Sequence, residues 1–509
     1  MPLQRSNGEQ LSAYSFNLRR LAAAVSRFSV RMIHDDRKAR AALLAAVSIF
    51  IVIELLMMVI RIFKPAGLAG EEAPIIGNRD TGAVYARIDG VLHPAFFLTS
   101  ARLATGTAGN PKWVTGAEIA KFPQGPWVGI PGAPPSDMNV NDAPVSAFAA
   151  CDTAASARAG AGDASVTAIA GQLSRSERSD ILADGRAVLV SHGGANYIVW
   201  GGKRTKIDIG NRVITVNLGL DPGVTAPMPI SKALFDALPS TEPLVVPEVP
   251  NAGSPSQYPS LSGALIGSVV DVRDAAGGQH RFYIVLPNGV QQVTDFTANL
   301  MRTANSYGEA TTRTMTPDKL VDVPQVDALN VAFYPRQRMT FVDTTANPVL
   351  CVSWEKARTD RQATITVYSG RTLPISESIR PVKLVRDDRG PESTEATQAV
   401  VLPGAANFLA TTSEVVTSET RESLWWLSPQ GVRFGVSNDA STLRALGFGD
   451  SKDAKDIVKT AMAQAQQAPW PLLRMFGQGP ALSTERALKL RDTVGEGNGQ
   501  VALATKPGA

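Results

Sequence analysis

Histidine and cysteine are scarce in this 509-residue chain, four and two respectively, and that scarcity narrows the available chemistry. His34, His93, His192 and His280 fall in separate segments with no HExxH or similar spacing. Nothing gathers them around a metal, so each reads as a surface or packing residue. No GxSxG elbow occurs, which leaves nucleophilic hydrolysis without support. No GxxxxGK[ST] loop occurs either. The nearest string, Gly201-Gly202-Lys203-Arg204-Thr205, has Tyr197 where the first glycine belongs, and it lies where a hairpin is expected rather than between a strand and a helix. It reads as a structural turn. These absences predict no catalytic residues, no cofactor and no metal.

Long hydrophobic runs are equally few. One stretch, Ala41–Ile60, is long and apolar enough to cross a bilayer, spanning about 30 Å at the helical rise per residue. No second segment matches it, so the chain reads as a single-pass membrane protein. Before it lie Arg5, Arg19, Arg20, Arg27, Arg31, Arg37, Lys38 and Arg40 against Glu9, Asp35 and Asp36, a net charge of +5. The positive-inside rule keeps such a tail in the cytoplasm. Arg61-Ile62-Phe63-Lys64-Pro65 follows the stretch, not a small-residue cleavage site, which favours a retained anchor and export of what comes after.

Basic excess is also missing from the large domain. Taking the tail's eight bases and three acids from the chain's 50 Lys+Arg and 46 Asp+Glu leaves 42 against 43. A nucleic-acid partner would need a basic face on the folded part, and composition supplies none. The tail's charge is better explained by topology and by anionic lipid headgroups. On the exported side a disulfide between Cys151 and Cys351 is the economical reading. The alternative is two buried thiols too far apart to bridge.

Within the tail, Leu11, Tyr14, Leu18, Leu21, Val25 and Phe28 recur at alternating steps of three and four, with Arg20 and Arg27 opposite. This predicts an amphipathic helix over 11–28 whose apolar stripe lies on a partner protein or on a membrane surface, the partner being favoured. Past a Gly/Pro-containing linker, a pattern recurs four times: an aromatic-bearing strand, a Gly turn, a second strand, a helix, and a short helix ending near proline. The copies centre on Tyr85 with Asp89-Gly90, Tyr197 with Gly201-Gly202, Tyr283 with Asn288-Gly289, and Trp425-Trp426 with Gly431. The first three dipeptides are two-residue hairpin signals.

The intervals between copies are β-rich, around ASVTAIAG, GRAVLVS, MTFVDTT and TITVYSG, and predict a central β domain assembled from separated segments. The expected fold is therefore α+β: an N-terminal amphipathic helix, one transmembrane helix, and four small α+β repeats around a central β domain. The boundaries are a tail at 1–40, the membrane helix at 41–60, a linker at 61–78, the exported domain at 79–494 and a disordered end at 495–509. Pro134–Pro144 is also expected to be disordered, and Lys452–Gln467 to form an exposed helix.

The matches now point to a family. Tyr14-Ser15-Phe16 with Leu18-Arg19-Arg20, Val30 to Asp35, RDTGAVYARI from Arg79, TSARL from Thr99, CDT from Cys151, LFDALP from Leu234, VPEVPNAG from Val246 and SLWWLSPQGVRFGV from Ser423 are similar to blocks of EccB. EccB is the single-pass membrane component of the mycobacterial type VII (ESX) secretion system. The resemblance covers nearly the whole chain. Asp36 and Arg491 depart from it, standing where the family commonly has proline and histidine.

The resemblance implies an exported domain of four repeats around a disulfide-bearing central β domain, and assembly with EccC, EccD, EccE and MycP into an inner-membrane complex exporting ESX-class proteins. With no nucleotide-binding or catalytic motif in the chain, the expected role is that of a non-enzymatic structural component that also pairs with further copies of itself. Some descriptions of the family call it an ATPase. A membrane-anchored module binding cell-wall peptidoglycan is the rival, with Trp425 and Trp426 as its stacking surface. Glu54 breaks the apolar run at a cost of about 3 kcal/mol near mid-membrane. It reads either as protonated or reaching the exported interface, or as contacting another helix of the assembly.

Overall fold

The computed structural model describes residues 8–28, 33–63, 73–135, 138, 140, 142–158, 164–273, 280–385, 392–413, 418–449, 451 and 453–492. The end at 495–509 and parts of Pro134–Pro144, both expected to be disordered, lie outside these. The chain divides into two compact units. One contains the two N-terminal helices with Asn78–Thr81 and Lys112–Lys121. The other contains Pro74–Gly77, Gly82–Pro111 and the described residues from Phe122 onward.

In the first unit, helix α1 spans Gly8–Arg27 and helix α2 spans Ile33–Phe63. Helix α1 begins before the expected 11–28 and stops one residue short of Phe28, while α2 runs past the expected 41–60 at both ends. Polar flanks such as His34 to Arg40 are good enough helix formers to extend α2 without adding to its hydrophobic pattern.

The second unit is built on a seven-stranded mixed sheet. Its order is Val382–Lys383, Gln398–Val401, Ser165–Ala170, Val145–Thr153, Val349–Ala357, Thr364–Gly370, Ser179–Ile181. The fourth and fifth strands, Val145–Thr153 and Val349–Ala357, pair antiparallel over nine residues, Val145 opposite Ala357 and Thr153 opposite Val349. Both are buried along nearly their whole length. A strand covered on both faces reads as a continuous apolar run rather than an alternation.

Alternation still sorts the side chains. Phe148, Ala150, Leu350, Val352 and Trp354 enter one core, which also holds Leu234, Ala237, Leu472, Leu473 and Phe476. Ala149, Cys151, Val349 and Cys351 enter a second, with Ile169, Tyr368 and Val400. Cys151 stands directly opposite Cys351 and the two form a disulfide, with Cα atoms 4.0 Å apart and a separation of 200 positions along the chain.

Small sheets surround this centre. The first rests on Ile75–Asn78, Val84–Ile88 and Val91–Ala95, followed by helix Leu98–Thr105. The second has Arg186–His192, Ala195–Trp200 and Lys203–Ile207, then helix Arg212–Leu218, then Met228–Pro229 returning parallel to its first strand. The third repeats that order with Val269–Arg273, His280–Leu286, Gly289–Val293, helix Asp295–Ala304 and the parallel strand Arg313–Met315.

The fourth has Asn407–Thr412, Leu424–Leu427 and Val432–Val436, helices Ala440–Ala445 and Ala454–Gln464, and the parallel strand Gln466–Pro469. Cores are shared in pairs. Ile75, Ala86 and Leu103 pack with Phe408, Trp426 and Phe434, and Leu189 and Ile198 pack with Ile284, Leu286 and Phe296.

Several segments differ from expectation. GRAVLVS and MTFVDTT belong to the second small sheet, where Thr340–Phe341 runs parallel to Arg186–Ala187, and not to the central sheet. The apolar run of GRAVLVS suits any buried strand, MTFVDTT contributes only two strand residues, and only long-range pairing decides which sheet they join. Asp89-Gly90 and Gly201-Gly202 do form two-residue turns with both residues at positive φ. Asn288-Gly289 does not: the turn residues are Pro287-Asn288, because Leu286 pairs with Gly289. Proline fixes φ near −65° and excludes the turn type that needs positive φ at both positions.

Gly289 is required for another reason. Its φ is +151°, and a Cβ there would come within 2.1 Å of the Pro324 carbonyl oxygen. The helix expected over 452–467 ends at Gln464 and buries Ile457 and Ala461, so it is an amphipathic packing helix rather than a fully exposed one. Gln466 and Gln467 are buried strand residues.

The cross-strand disulfide closes a long loop, so its removal acts strongly on the unfolded chain. The paired substitution Cys151→Ala with Cys351→Ala is expected to lower unfolding free energy by about 5 kcal/mol in the loop-entropy account. Denaturant titration of the detergent-solubilised chain checks this. A reductant should bring the native chain to the variant's midpoint, and equal midpoints under oxidising conditions would contradict it.

Candidate functional site

Helix α2 is the one helix among the described residues that is long and apolar enough to cross a membrane, over Arg40–Val59. Every side chain in that window is exposed, Glu54 included. Ser48 turns its hydroxyl onto the Leu44 carbonyl at 2.8 Å and so satisfies itself within the helix. Glu54 has no such local recourse, since a carboxylate accepts hydrogen bonds and the carbonyls of the preceding turn do not donate.

On α1, Tyr14, Leu18, Leu21 and Val25 form one exposed stripe, between 50% and 77% accessible. Leu11 lies in the same helix. Phe28 follows the last helical residue at φ 50° and is 98% exposed, so it ends the stripe outside the helix. Phe16, also exposed, stands off the stripe on the side of Arg20 and interrupts the polar face.

In the large unit, Lys203 follows the Gly201-Gly202 turn. Its ammonium lies 4.1 Å from the Trp200 ring centroid and donates to the Phe333 carbonyl at 3.3 Å. Burial lowers its pKa. The histidines are separate: His93 meets the Pro126 carbonyl, His192 the Ile230 carbonyl and the Phe235 ring, and His280 the Asp271 carboxylate. No group of three potential ligands suited to a metal exists among the described residues. Trp426 is buried against Phe408, and Trp425 is half-buried against Trp470, Gly435 and Arg433.

Asp152, beside the disulfide, is the group that sequence reasoning missed. The signal was available as a carboxylate inside an otherwise apolar and small-residue run, VSAFAACDT. Its Oδ2 accepts the Ser231 amide N–H at 2.6 Å and its Oδ1 the Ser231 hydroxyl at 2.8 Å. Ser231 in turn caps helix Lys232–Ala237 by accepting the Leu234 N–H. Burial pushes the Asp152 carboxyl from its ordinary 3.8 to about 6, and the two hydrogen bonds from Ser231 only partly offset that.

Asp439 shows the opposite balance. Hydrogen bonds from Ser441, Ser437 and Thr442 overcome burial, which alone would raise it, and hold it at about 2.

The family model described as "Type VII secretion system ESX-1, transport TM domain B" matches residues 3–496. The chain belongs to the EccB family. It is 55% identical over 507 residues to a Mycobacterium tuberculosis protein named "ESX-2 secretion system ATPase EccB2", with 99% of each chain covered. It is 37% identical over 495 residues to the ESX-5 relative EccB5 of that organism, covering 96% of this chain and 94% of the relative.

Among solved structures, a chain of an intact ESX-5 inner membrane complex matches with a TM-score of 0.74 and 35% identity, covering 99% of both. A chain of the EccB3 dimer from an ESX-3 core complex matches with a TM-score of 0.69 and 31% identity, covering 82% of this chain and 100% of that one. The name ATPase attached to EccB relatives meets a specific arrangement in this EccB member. The Gly-Gly-Lys string is a hairpin turn whose lysine is engaged by an indole and a carbonyl.

Asp152 makes stability depend on pH in a stated direction. Its folded pKa lies above the unfolded value, so its contribution is complete below about pH 4 and is lost as pH rises through about 6. The loss totals about 3 kcal/mol. Asp152→Asn, compared with the native chain by denaturant titration from pH 4 to 7.5, should remove that decline. A difference between the two that stays constant with pH would contradict the assignment.

Proposed function

We propose that this chain is a non-enzymatic scaffold of an ESX secretion complex in the inner membrane, with residues 1–40 in the cytoplasm, 41–60 across the bilayer and the remainder to 494 in the periplasm. The linker expected at 61–78 is shorter at both ends, because helix α2 continues to Phe63 and Ile75–Asn78 is already a strand of the α+β unit. The observation that carries this is the chain's partition into a helix with an exposed apolar stripe, one bilayer-length helix and a large disulfide-linked α+β unit, in a sequence whose relatives come from ESX inner-membrane complexes. The excess of eight bases over three acids before the membrane helix supports the orientation. Identity of 55% to the ESX-2 relative, against 37% and 33% to the ESX-5 and ESX-3 relatives, favours an ESX-2-type system.

The four small sheets read as diverged copies of one unit. The common order of the second, third and fourth supports this: three antiparallel strands, a helical segment, then a strand returning parallel to the first. The α1 stripe formed by Leu11, Tyr14, Leu18, Leu21 and Val25 is a docking face for cytoplasmic parts of the machine, and EccC, EccD, EccE and MycP are the expected partners, together with further copies of this chain. Lys203's engagement with Trp200 and Phe333 supports a structural role for the string nearest to a phosphate loop. Packing of Trp425 against Trp470 and of Trp426 against Phe408 weighs against these rings as a free platform for wall sugars.

Affinity purification of a tagged chain from membranes in mild detergent should recover EccC and EccD with it. Recovery of the chain alone, together with its retention on isolated peptidoglycan, would replace the scaffold with a wall-binding module. Within the bilayer, Glu54 contacts a donor on another helix of the assembly. Glu54→Leu should then lower the yield of the intact complex while the single chain still inserts, and an unchanged yield would sink that contact.

A further inference from the structure

A cavity of about 550 Å³ opens beside the end of the central strand that carries the disulfide. Its walls are mostly apolar, formed by Ala154, Val166, Pro229 and Ile230 with the hydroxyl residues Thr153, Ser165 and Thr397 among them, and the exposed Ala155 and Ala164 stand at its edge. Asp152 is the one charged residue among the described residues of this lining; it is 5% exposed and faces the cavity together with Ser231.

Two features of this carboxylate are unusual for a purely structural residue. It is held by neutral donors from one residue, Ser231, and no cation pairs with it among the described residues. An asparagine could accept one of these two bonds from Ser231 without the desolvation cost of a charge. A buried carboxylate also accepts more hydrogen bonds than the two it has, so acceptor capacity remains on a group that lines an open cavity. The charged and titratable neighbours on the covering elements are engaged elsewhere. Lys232 pairs with Asp236 at 3.1 Å, and His192 bonds the Ile230 carbonyl at 3.2 Å.

We infer that this cavity receives an ammonium group on an unbranched apolar stem, the chemistry of a lysine side chain presented by a partner protein, with Asp152 as its counter-charge. The apolar walls suit the methylene stem, which covers apolar surface while its head stays polar. An ammonium fits better than a guanidinium, because each Asp152 oxygen already accepts one bond from Ser231. That leaves no free edge for the two parallel bonds that a guanidinium makes, whereas a point-like ammonium needs only the remaining lone pairs. Asp152 then has two jobs: it fixes the Ser231 cap and neutralises the guest.

The test uses the full chain in detergent with n-hexylammonium, its neutral counterpart n-hexanol, and Nα-acetyl-lysine amide, each followed by titration calorimetry at pH 7.5 and pH 5. Hexylammonium should bind the native chain at least roughly tenfold more tightly than hexanol does, and Nα-acetyl-lysine amide should bind at the same place in competition. With Asp152 ionising at about 6, affinity should fall roughly tenfold from pH 7.5 to pH 5.

Asp152→Asn should abolish the preference for ammonium over hexanol. Ala155→Leu leaves the carboxylate in place and narrows the entrance, and it should weaken both ligands together. Equal binding of hexylammonium and hexanol by the native chain, or an ammonium preference that persists in Asp152→Asn, overturns the proposal. Binding of hexylammonium without Nα-acetyl-lysine amide overturns the lysine assignment. If Asp152→Asn does not fold, the pH dependence and Ala155→Leu decide the matter on their own.

Discussion

The pairing of Val145–Thr153 with Val349–Ala357 is the constraint on which the large unit depends. Nine residue pairs in fixed register bring together segments two hundred residues apart, and both faces of that ladder are covered. A slip of one residue would turn Phe148 and Trp354 out of one core and push Cys151 and Cys351 into it. The disulfide reinforces that register covalently, because only directly opposed cysteines can bridge adjacent strands without moving the backbone. Everything between the two strands, including the second and third small sheets, is a long excursion that must return to this seam.

The two faces of the seam divide the work. On one, the helix Lys232–Ala237 and the segment around Leu472 to Phe476 bring in parts of the second and fourth small sheets, so the central core is shared with its surroundings rather than closed. On the other, the disulfide is covered by Ile169, Tyr368 and Val400, with Leu373, Ile375 and Ile379 packed against them. Asp152 sits one residue from the disulfide but points to the opposite face, as strand alternation requires. A covalent bond and a buried carboxylate, each hard to accommodate, are thus stacked at one strand end. The sharing of cores between the first and fourth sheets, and between the second and third, extends the same logic outward.

Much of this was legible in the residues. The apolar run with its basic flank marked α2, the stripe at steps of three and four marked α1, and the two cysteines marked a junction between distant β segments. Asp89-Gly90 and Gly201-Gly202 marked hairpins because both positions need positive φ. Other elements carried no such signal. Met228–Pro229, Arg313–Met315 and Gln466–Pro469 are parallel strands of two to four residues, too short for any alternation to appear, and they exist because a partner strand is waiting. Arg186–His192 could have joined either sheet, since burial on both faces of its middle erases the period that would distinguish them, and Thr340–Phe341 is too short to show a period at all. Asp152 went unread because a lone acid next to a cysteine has meaning only once Ser231 and the cavity are placed beside it.

If the large unit hangs from this junction, the central pair is the most stable part of the chain. Amide hydrogen exchange, read by mass spectrometry on the full chain in detergent, measures this directly. Peptides from Val145–Thr153 and Val349–Ala357 should exchange more slowly than those from any small sheet. Exchange of these two strands at rates equal to or faster than those of Val84–Ile88 or His280–Leu286 would contradict the account.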